Sequence, residues 1–191
     1  MDVADLDPDP IVQFCRWKDE LSPRDDAATL ATASADGAPN ARTVLVKGAV
    51  DTGFVFHTNR RSAKGRELAA NPRAALVFHW DPRAVRVVGA VVELADAGSD
   101  AYWATRPRGS QLGAWASSQS EVIADRSLLE QRLADATARF AGVDVPRPDH
   151  WGGYEVVPST VEFWHHRDDR LHDRIRYRRN GDAWSRERLS P

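Results

Sequence analysis

Basic and hydroxyl side chains recur in this sequence where strands end and helices begin. Arg42 and Lys47 stand at i and i+5 of one predicted strand, and Thr58, Ser62 and Lys64 bracket the start of the next predicted helix. A helix N-terminus offers free N–H groups and the positive end of the helix dipole, so a hydroxyl and a lysine there make a phosphate cradle. The same residues also serve a plain capped surface helix. A second cluster is Tyr102, Arg106, Arg108 and Ser110, with Tyr102 and Arg106 at i and i+4 on one helix face. An arginine fork beside two hydroxyls suits a phosphate monoester. The third is Trp164 with Arg170, His172, Asp173 and Arg174, which reads either as a salt-bridged hairpin or as an aromatic wall for a planar ligand. Two phosphate-like sites and such a wall fit two phosphorylated planar ligands side by side.

The elements that must position these residues are mostly short strands. Ile11 to Leu21 reads as a helix, with Ile11, Phe14, Cys15 and Lys18 along one stripe. TLATAS, ARTVLVKG and GFVFHT form a β-meander separated by Asp-Gly and Asp-Thr-Gly turn signals. Ser62 caps a helix that stops at Asn71-Pro72, and AALVFHW and VRVVGAVVEL follow as strands, the second bent at Gly89. Ser99 to Arg106 is a helix ended by Pro107, GSQLGAWASSQS a polar stretch outside the core, and Asp125 to Phe140 a helix burying Leu128, Leu129, Leu133 and Phe140. YEVVP, TVEFWHH, DRIRYRR and AWSRERL close the chain as strands, the last two joined at Asn180-Gly181. Strands without βα alternation, plus inserted helices, imply a mainly β fold: an antiparallel barrel decorated by helices.

Composition excludes several classes. With 191 residues, 42% hydrophobic content and a single cysteine, Cys15, the chain needs no disulfide framework, and it has no cysteine-rich metal site. No basic, apolar leader opens it and no apolar run approaches a membrane span, so a soluble cytoplasmic protein is expected. Residues 1–26 carry eight acids against three bases, whereas residues 165–191 carry eight arginines against five acids. The basic end calls for an anionic partner or an acidic neighbour. Nucleic acid is disfavoured, because those arginines alternate with Asp168, Asp169 and Asp173 and the net charge is −2.

RTVLVKG, VFHTNRRSAKGRELAANPRAAL, RPRGSQLGAW, WGGY with VEFW, and RLHDR followed by a terminal RLSP occur in order from about Asp9 to Pro191. Together they resemble the pyridoxamine 5′-phosphate oxidase family. The resemblance implies a homodimeric split β-barrel of the FMN-binding type. It also implies oxidation of pyridoxine or pyridoxamine 5′-phosphate to pyridoxal 5′-phosphate, with O2 as acceptor and H2O2 as product. One domain would span 1–191, with residues 1–26 as an acidic lead and helix and 150–191 completing the dimeric site. Carried onto this sequence, Arg42 and Lys64 would hold the FMN phosphate, with Thr58, Ser62, Gln119 and Ser120 adding hydrogen bonds. Lys47 and His57 also fall among the matched cofactor positions, and Trp164 and Arg174 would line the flavin from the second subunit. Lys47, Tyr102, Arg106 and Ser110 match the positions for the substrate phosphate, while Arg170 and His172 match the catalytic pair facing the pyridine ring. No metal is implied.

The chain departs from the family pattern at the cofactor. Ala63 stands where an arginine is usual, Ala84 where a glutamine meets the flavin, and His57 where another aromatic is usual; the loop at Asp81–Arg83 is short. A lost charge-assisted hydrogen bond costs about 1.5–3 kcal/mol, or about 10- to 100-fold in affinity, unless Arg60 or Arg61 compensates. These departures leave two alternatives open: a flavin oxidase acting on another planar metabolite such as a phenazine-type precursor, and a non-catalytic binder of pyridoxal phosphate or flavin.

Overall fold

The computed structural model describes residues 1–21, 26–50 and 52–191. Arg24 and Asp25 of the acidic lead, and Asp51 of the expected Asp-Thr-Gly turn, lie outside them. Helix α1 (Pro10–Asp19) is capped by the Asp9 carboxylate, which accepts from the Ile11 and Val12 N–H groups. Its buried face is Pro10, Gln13, Phe14 and Trp17, turned from the expected stripe. The reason is aromatic: Phe14 meets Phe54 and Phe78 edge-on, both at 4.8 Å between centroids.

Strands β1 (Ala27–Ala33), β2 (Pro39–Val50) and β3 (Gly53–Asn59) form the meander, followed by α2 (Ala63–Ala70), β4 (Arg73–Trp80) and β5 (Arg83–Glu93). Helices α3 (Asp96–Thr105), α4 (Arg108–Ala116) and α5 (Arg126–Arg139) precede β6 (Trp151–His165), β7 (Asp173–Asn180) and β8 (Ala183–Arg188). All pairings are antiparallel, in the order β3-β2-β1-β4-β5-β6-β7-β8. The first half of β6 also pairs with β3, closing a six-stranded barrel from which β7 and β8 extend. This is the split barrel that the resemblance implied; the strand pattern by itself pointed to an antiparallel barrel with inserted helices and left its closure open. The core is the inward register of these strands, with Leu30, Phe54, Phe56, Leu76, Val85 and Phe163 each fully buried.

Three expectations change. YEVVP and TVEFWHH are one strand, β6, because β5 shifts register between Val88 and Gly89 and so carries the ladder past Pro158. The polar-looking stretch after Pro107 is helix α4, and it buries Leu112 and Ala116 in a second apolar cluster with Trp103, Phe140, Val145 and Trp151. Pro107 sits at its N-cap position, where a missing N–H costs nothing. Helix α5 buries Ala136, and its C-cap Phe140 is buried too, while Leu128 and Leu133 stay exposed, because only the C-terminal end of the helix reaches that cluster.

The acidic lead proves to be the neighbour of the basic end. Arg186 donates to the carbonyls of Val3 and Leu6, and Arg188 to the carbonyl of Met1. The Tyr177 hydroxyl donates to the Asp7 carbonyl at 2.7 Å. Among the described residues, no helix is long and apolar enough to cross a membrane.

Candidate functional site

The turn from β3 into α2 builds an anion cradle. Ser62 caps α2 through the Gly65 N–H, and Gly65 is required because a Cβ there would run into the Arg60 carbonyl. This close turn brings Lys64 inward, where it is 6% exposed. Its Nζ donates to Thr58 Oγ1 at 3.1 Å, Ser62 Oγ at 3.2 Å and Gln119 Oε1 at 2.7 Å. Thr58 Oγ1 in turn donates to Gln119 Oε1 at 3.0 Å. Burial, with Arg42 close by and Glu67 opposing, pushes the Lys64 ammonium down to about 8. An anion bound beside it would stabilise the charged form that burial disfavours.

Two adjoining hollows share His57, Thr58, Arg106, Gln119 and Trp151. One, of about 250 Å³, adds Lys47, Lys64 and Tyr102; the other, of about 320 Å³, adds Ser110 and Ser117. Their shared wall is aromatic. His57 stacks on Tyr102 at 4.1 Å and on Trp151 at 5.1 Å, with interplanar angles of 21° and 14°. The Arg106 guanidinium lies over Trp151 at 4.7 Å, a cation–π contact. Among the described residues, neither His57 ring nitrogen has a hydrogen-bond partner although both are buried, and the same holds for Arg106 Nη1. Burial first, and Arg106 second, press the His57 ring down to about 4, so it is neutral at physiological pH.

Lys47, His57, Thr58, Lys64, Tyr102, Arg106 and Gln119 are thus brought to one cavity, with Ser62 in the cradle and Ser110 in the adjoining hollow. Ser120 follows Gln119 with φ of 74° and an exposed side chain. Arg42 does not line the cavity; its guanidinium bonds Thr32 and pairs with Glu67 at 2.8 Å. Lys47 is held from outside by Asp26 at 3.0 Å, which also takes Lys18 at 2.7 Å.

Trp164, Arg170, His172 and Arg174 form a separate group on β6, β7 and the loop between them. His172 and Trp164 lie 4.7 Å apart between ring centroids, and Trp164 pairs with Arg174 across the ladder and with Ala84 on its other side. Arg174 is fixed by the buried Glu162 at 2.8 Å and by the Ser190 carbonyl at 3.0 Å. None of the four lines the two hollows.

The positions expected to compensate for Ala63 are also placed. Arg60 is drawn to Glu93 at 2.5 Å and Asp96 at 3.6 Å, while Arg61 lines a small hollow beside Gln119. Sequence reasoning missed Trp151, the third ring of the wall; its signal was an aromatic directly before two glycines in WGGY. It also missed Asp26 and Glu162, whose roles depend on which strands become neighbours.

Two family profiles match. Residues 18–140 match the one described as "Pyridoxamine 5'-phosphate oxidase", and residues 151–191 the "Pyridoxine 5'-phosphate oxidase C-terminal dimerisation region". A curated relative from Rubrobacter xylanophilus, named pyridoxine/pyridoxamine 5′-phosphate oxidase, is 54% identical over 97% of this chain and 88% of its own length. The crystal structure of PhzG from Burkholderia lata, in complex with tetrahydrophenazine-1-carboxylic acid, is 32% identical with a TM-score of 0.91, covering 98% of this chain and 95% of that one. An FMN-binding protein from Nostoc punctiforme, related to pyridoxamine 5′-phosphate oxidase, shares the fold at 20% identity with a TM-score of 0.73, covering 95% of each chain.

Proposed function

This chain belongs to the pyridoxamine 5′-phosphate oxidase family, and from that premise we propose that it is an oxidoreductase converting pyridoxine or pyridoxamine 5′-phosphate to pyridoxal 5′-phosphate, with FMN as cofactor, O2 as acceptor and H2O2 as product. The observation that carries this reading is the buried Lys64 ammonium held among Thr58, Ser62 and Gln119, beside a cavity that adds Lys47 and Arg106 to an aromatic wall. Two sets of anion-binding groups flanking planar rings suit two phosphorylated planar ligands.

The cradle fits the phosphate of FMN: it holds one cation, two hydroxyls and an amide within hydrogen-bond reach of one another. Bound there, FMN supplies the hydride acceptor for carbon C4′ of the substrate. Lys47, Tyr102, Arg106 and Ser110 bind the substrate phosphate, and that remote grip supplies binding energy for alignment of the reacting carbon. Arg42 contributes its charge to the surroundings of Lys64 without lining the cavity. Arg170 and His172 orient the pyridine ring and donate to its oxygen as charge develops. Because their group lies outside this chain's own cavity, a second copy brings Arg170, His172, Trp164 and Arg174 to it; the match of residues 151–191 to a dimerisation region supports this homodimer.

The test is turnover of pyridoxine 5′-phosphate by the FMN-loaded protein, followed as pyridoxal phosphate absorbance and as peroxide. Arg106→Ala and Lys47→Met should each raise KM at least tenfold. Vitamer binding without peroxide would replace the oxidase by a binding protein. Turnover of a phenazine-type precursor alone would favour the second reading, which the Burkholderia lata likeness supports.

A further inference from the structure

His172 is held in one orientation by the loop that carries it. The loop leaves β6 at His165, passes Asp169 and Arg170 with φ of 56° and 60°, and returns at Asp173, which pairs with His165 across the ladder. Two consecutive non-glycine residues in the left-handed region are costly unless their surroundings fix them. Asp173 closes the base of this loop. Its Oδ2 accepts from Arg167 Nε at 2.8 Å and from the Met1 ammonium at 3.0 Å, and its Oδ1 accepts from Arg188 Nη1 at 2.8 Å. Arg167 is thereby tied across the mouth of the loop, and its backbone N–H points at His172 Nδ1, 3.2 Å away. A ring nitrogen that accepts carries no hydrogen, so in the neutral imidazole the hydrogen sits on Nε2. The ring also packs at a tilt against Trp164 at 4.7 Å and His166 at 5.1 Å between centroids.

We propose that Asp173 is a positioning residue of the reaction: by clamping Arg167 it holds a backbone N–H on His172 Nδ1, which fixes the Nε2–H tautomer and makes His172 a hydrogen-bond donor toward the substrate. This deepens the functional reading above and rests on it. The Arg167 hydrogen bond is the largest influence holding the Asp173 carboxyl far below the usual carboxylate range, so the clamp stays charged at every working pH. A positioning carboxylate of this kind acts on tautomer and orientation without touching the ligand.

The experiment is long-range ¹H–¹⁵N NMR of the full-length, histidine-labelled protein, with His172 identified by the signal lost in His172→Gln. Of the two neutral tautomers, wild type should show only Nε2–H at His172. Asp173→Asn and Arg167→Met, the second of which keeps the backbone N–H and every other partner of Asp173, should each give a mixture of tautomers. In both, kcat for pyridoxine phosphate should fall on the order of tenfold with KM within twofold, as loss of an orienting partner does. A pure Nε2–H signal in both variants, or an unchanged kcat, overturns the proposal; should Asp173→Asn not fold, Arg167→Met decides it alone. Unchanged turnover in His172→Gln would instead remove His172 from the reaction, while the tautomer pattern still reports on the clamp.

Discussion

His57 on β3 stands directly opposite Gly153 on β6, and its ring lies across the bare α-carbon: a Cβ at position 153 would sit 2.9 Å from His57 Nε2 and 2.6 Å from Leu94 Cδ1. The second glycine of WGGY therefore makes room for the ring that supports Tyr102 and Trp151. Gly153→Ala should destabilise the protein by about 1–3 kcal/mol, as overpacking does. Urea unfolding of Gly153→Ala, His57→Ala and the double variant checks this: the double variant should regain the part of the loss due to the ring, the Leu94 contact remaining, and strict additivity would refute the His57 contact.

Lys64 should dominate the anion cradle. Lys64→Met removes a charge-assisted donor and should weaken FMN binding about 10- to 100-fold, read as quenching of flavin fluorescence. In the ligand-free protein the ammonium titrates at about 8, so above that pH binding must restore a proton, and wild-type affinity should fall between pH 8 and 10. A flat profile over that range would remove Lys64 from the site.

The same shift bears on stability with the opposite slope. The folded state holds the Lys64 proton less tightly than the unfolded chain, whose lysine titrates near 10.5. Between about 8 and 10.5 the unfolded state binds more protons, so this group adds stability as pH rises. Thermal unfolding of the ligand-free protein should show that increment in wild type and not in Lys64→Met.

His57 makes the protein acid-sensitive. Its ring is pressed from 6.5 to about 4, so the unfolded chain takes up a proton in that window that the folded one refuses. Stability from the neutral stack is complete above 6.5 and declines as pH falls toward 4. His57→Phe keeps a stacking ring without a titrating nitrogen and should flatten the melting temperature over that range. An identical decline in wild type and variant would exclude His57 as its source.

Glu162 should matter more than a surface carboxylate. It is 7% exposed on its side chain and bridges Arg86 at 2.5 Å and Arg174 at 2.8 Å. Glu162→Ala leaves two half-covered guanidiniums without their acceptor and should cost about 1–3 kcal/mol. Denaturant unfolding measures this; a loss below 0.5 kcal/mol, typical of exposed pairs, would show that water replaces the carboxylate at no cost.

Much of this protein is legible in its sequence because the deciding forces are local. Alternating apolar residues place β1 to β5, Ser62 and Asp125 mark helix starts by their side-chain oxygens, and Asn180-Gly181 turns the last hairpin. The same locality puts Thr58, Ser62 and Lys64 together, since one turn separates them. What the sequence could not settle depends on residues far apart in it. That β6 runs unbroken past Pro158 follows from the shifted ladder with β5, and that α4 is buried follows from its meeting Trp103, Phe140 and Val145. Arg42 looks like a cavity residue until Glu67 claims its guanidinium, and Asp26, Glu162 and Asp173 acquire their partners only when distant strands and loops converge. Pairing of charges is a question of distance in space, and periodicity along the chain carries no information about it until the barrel closes.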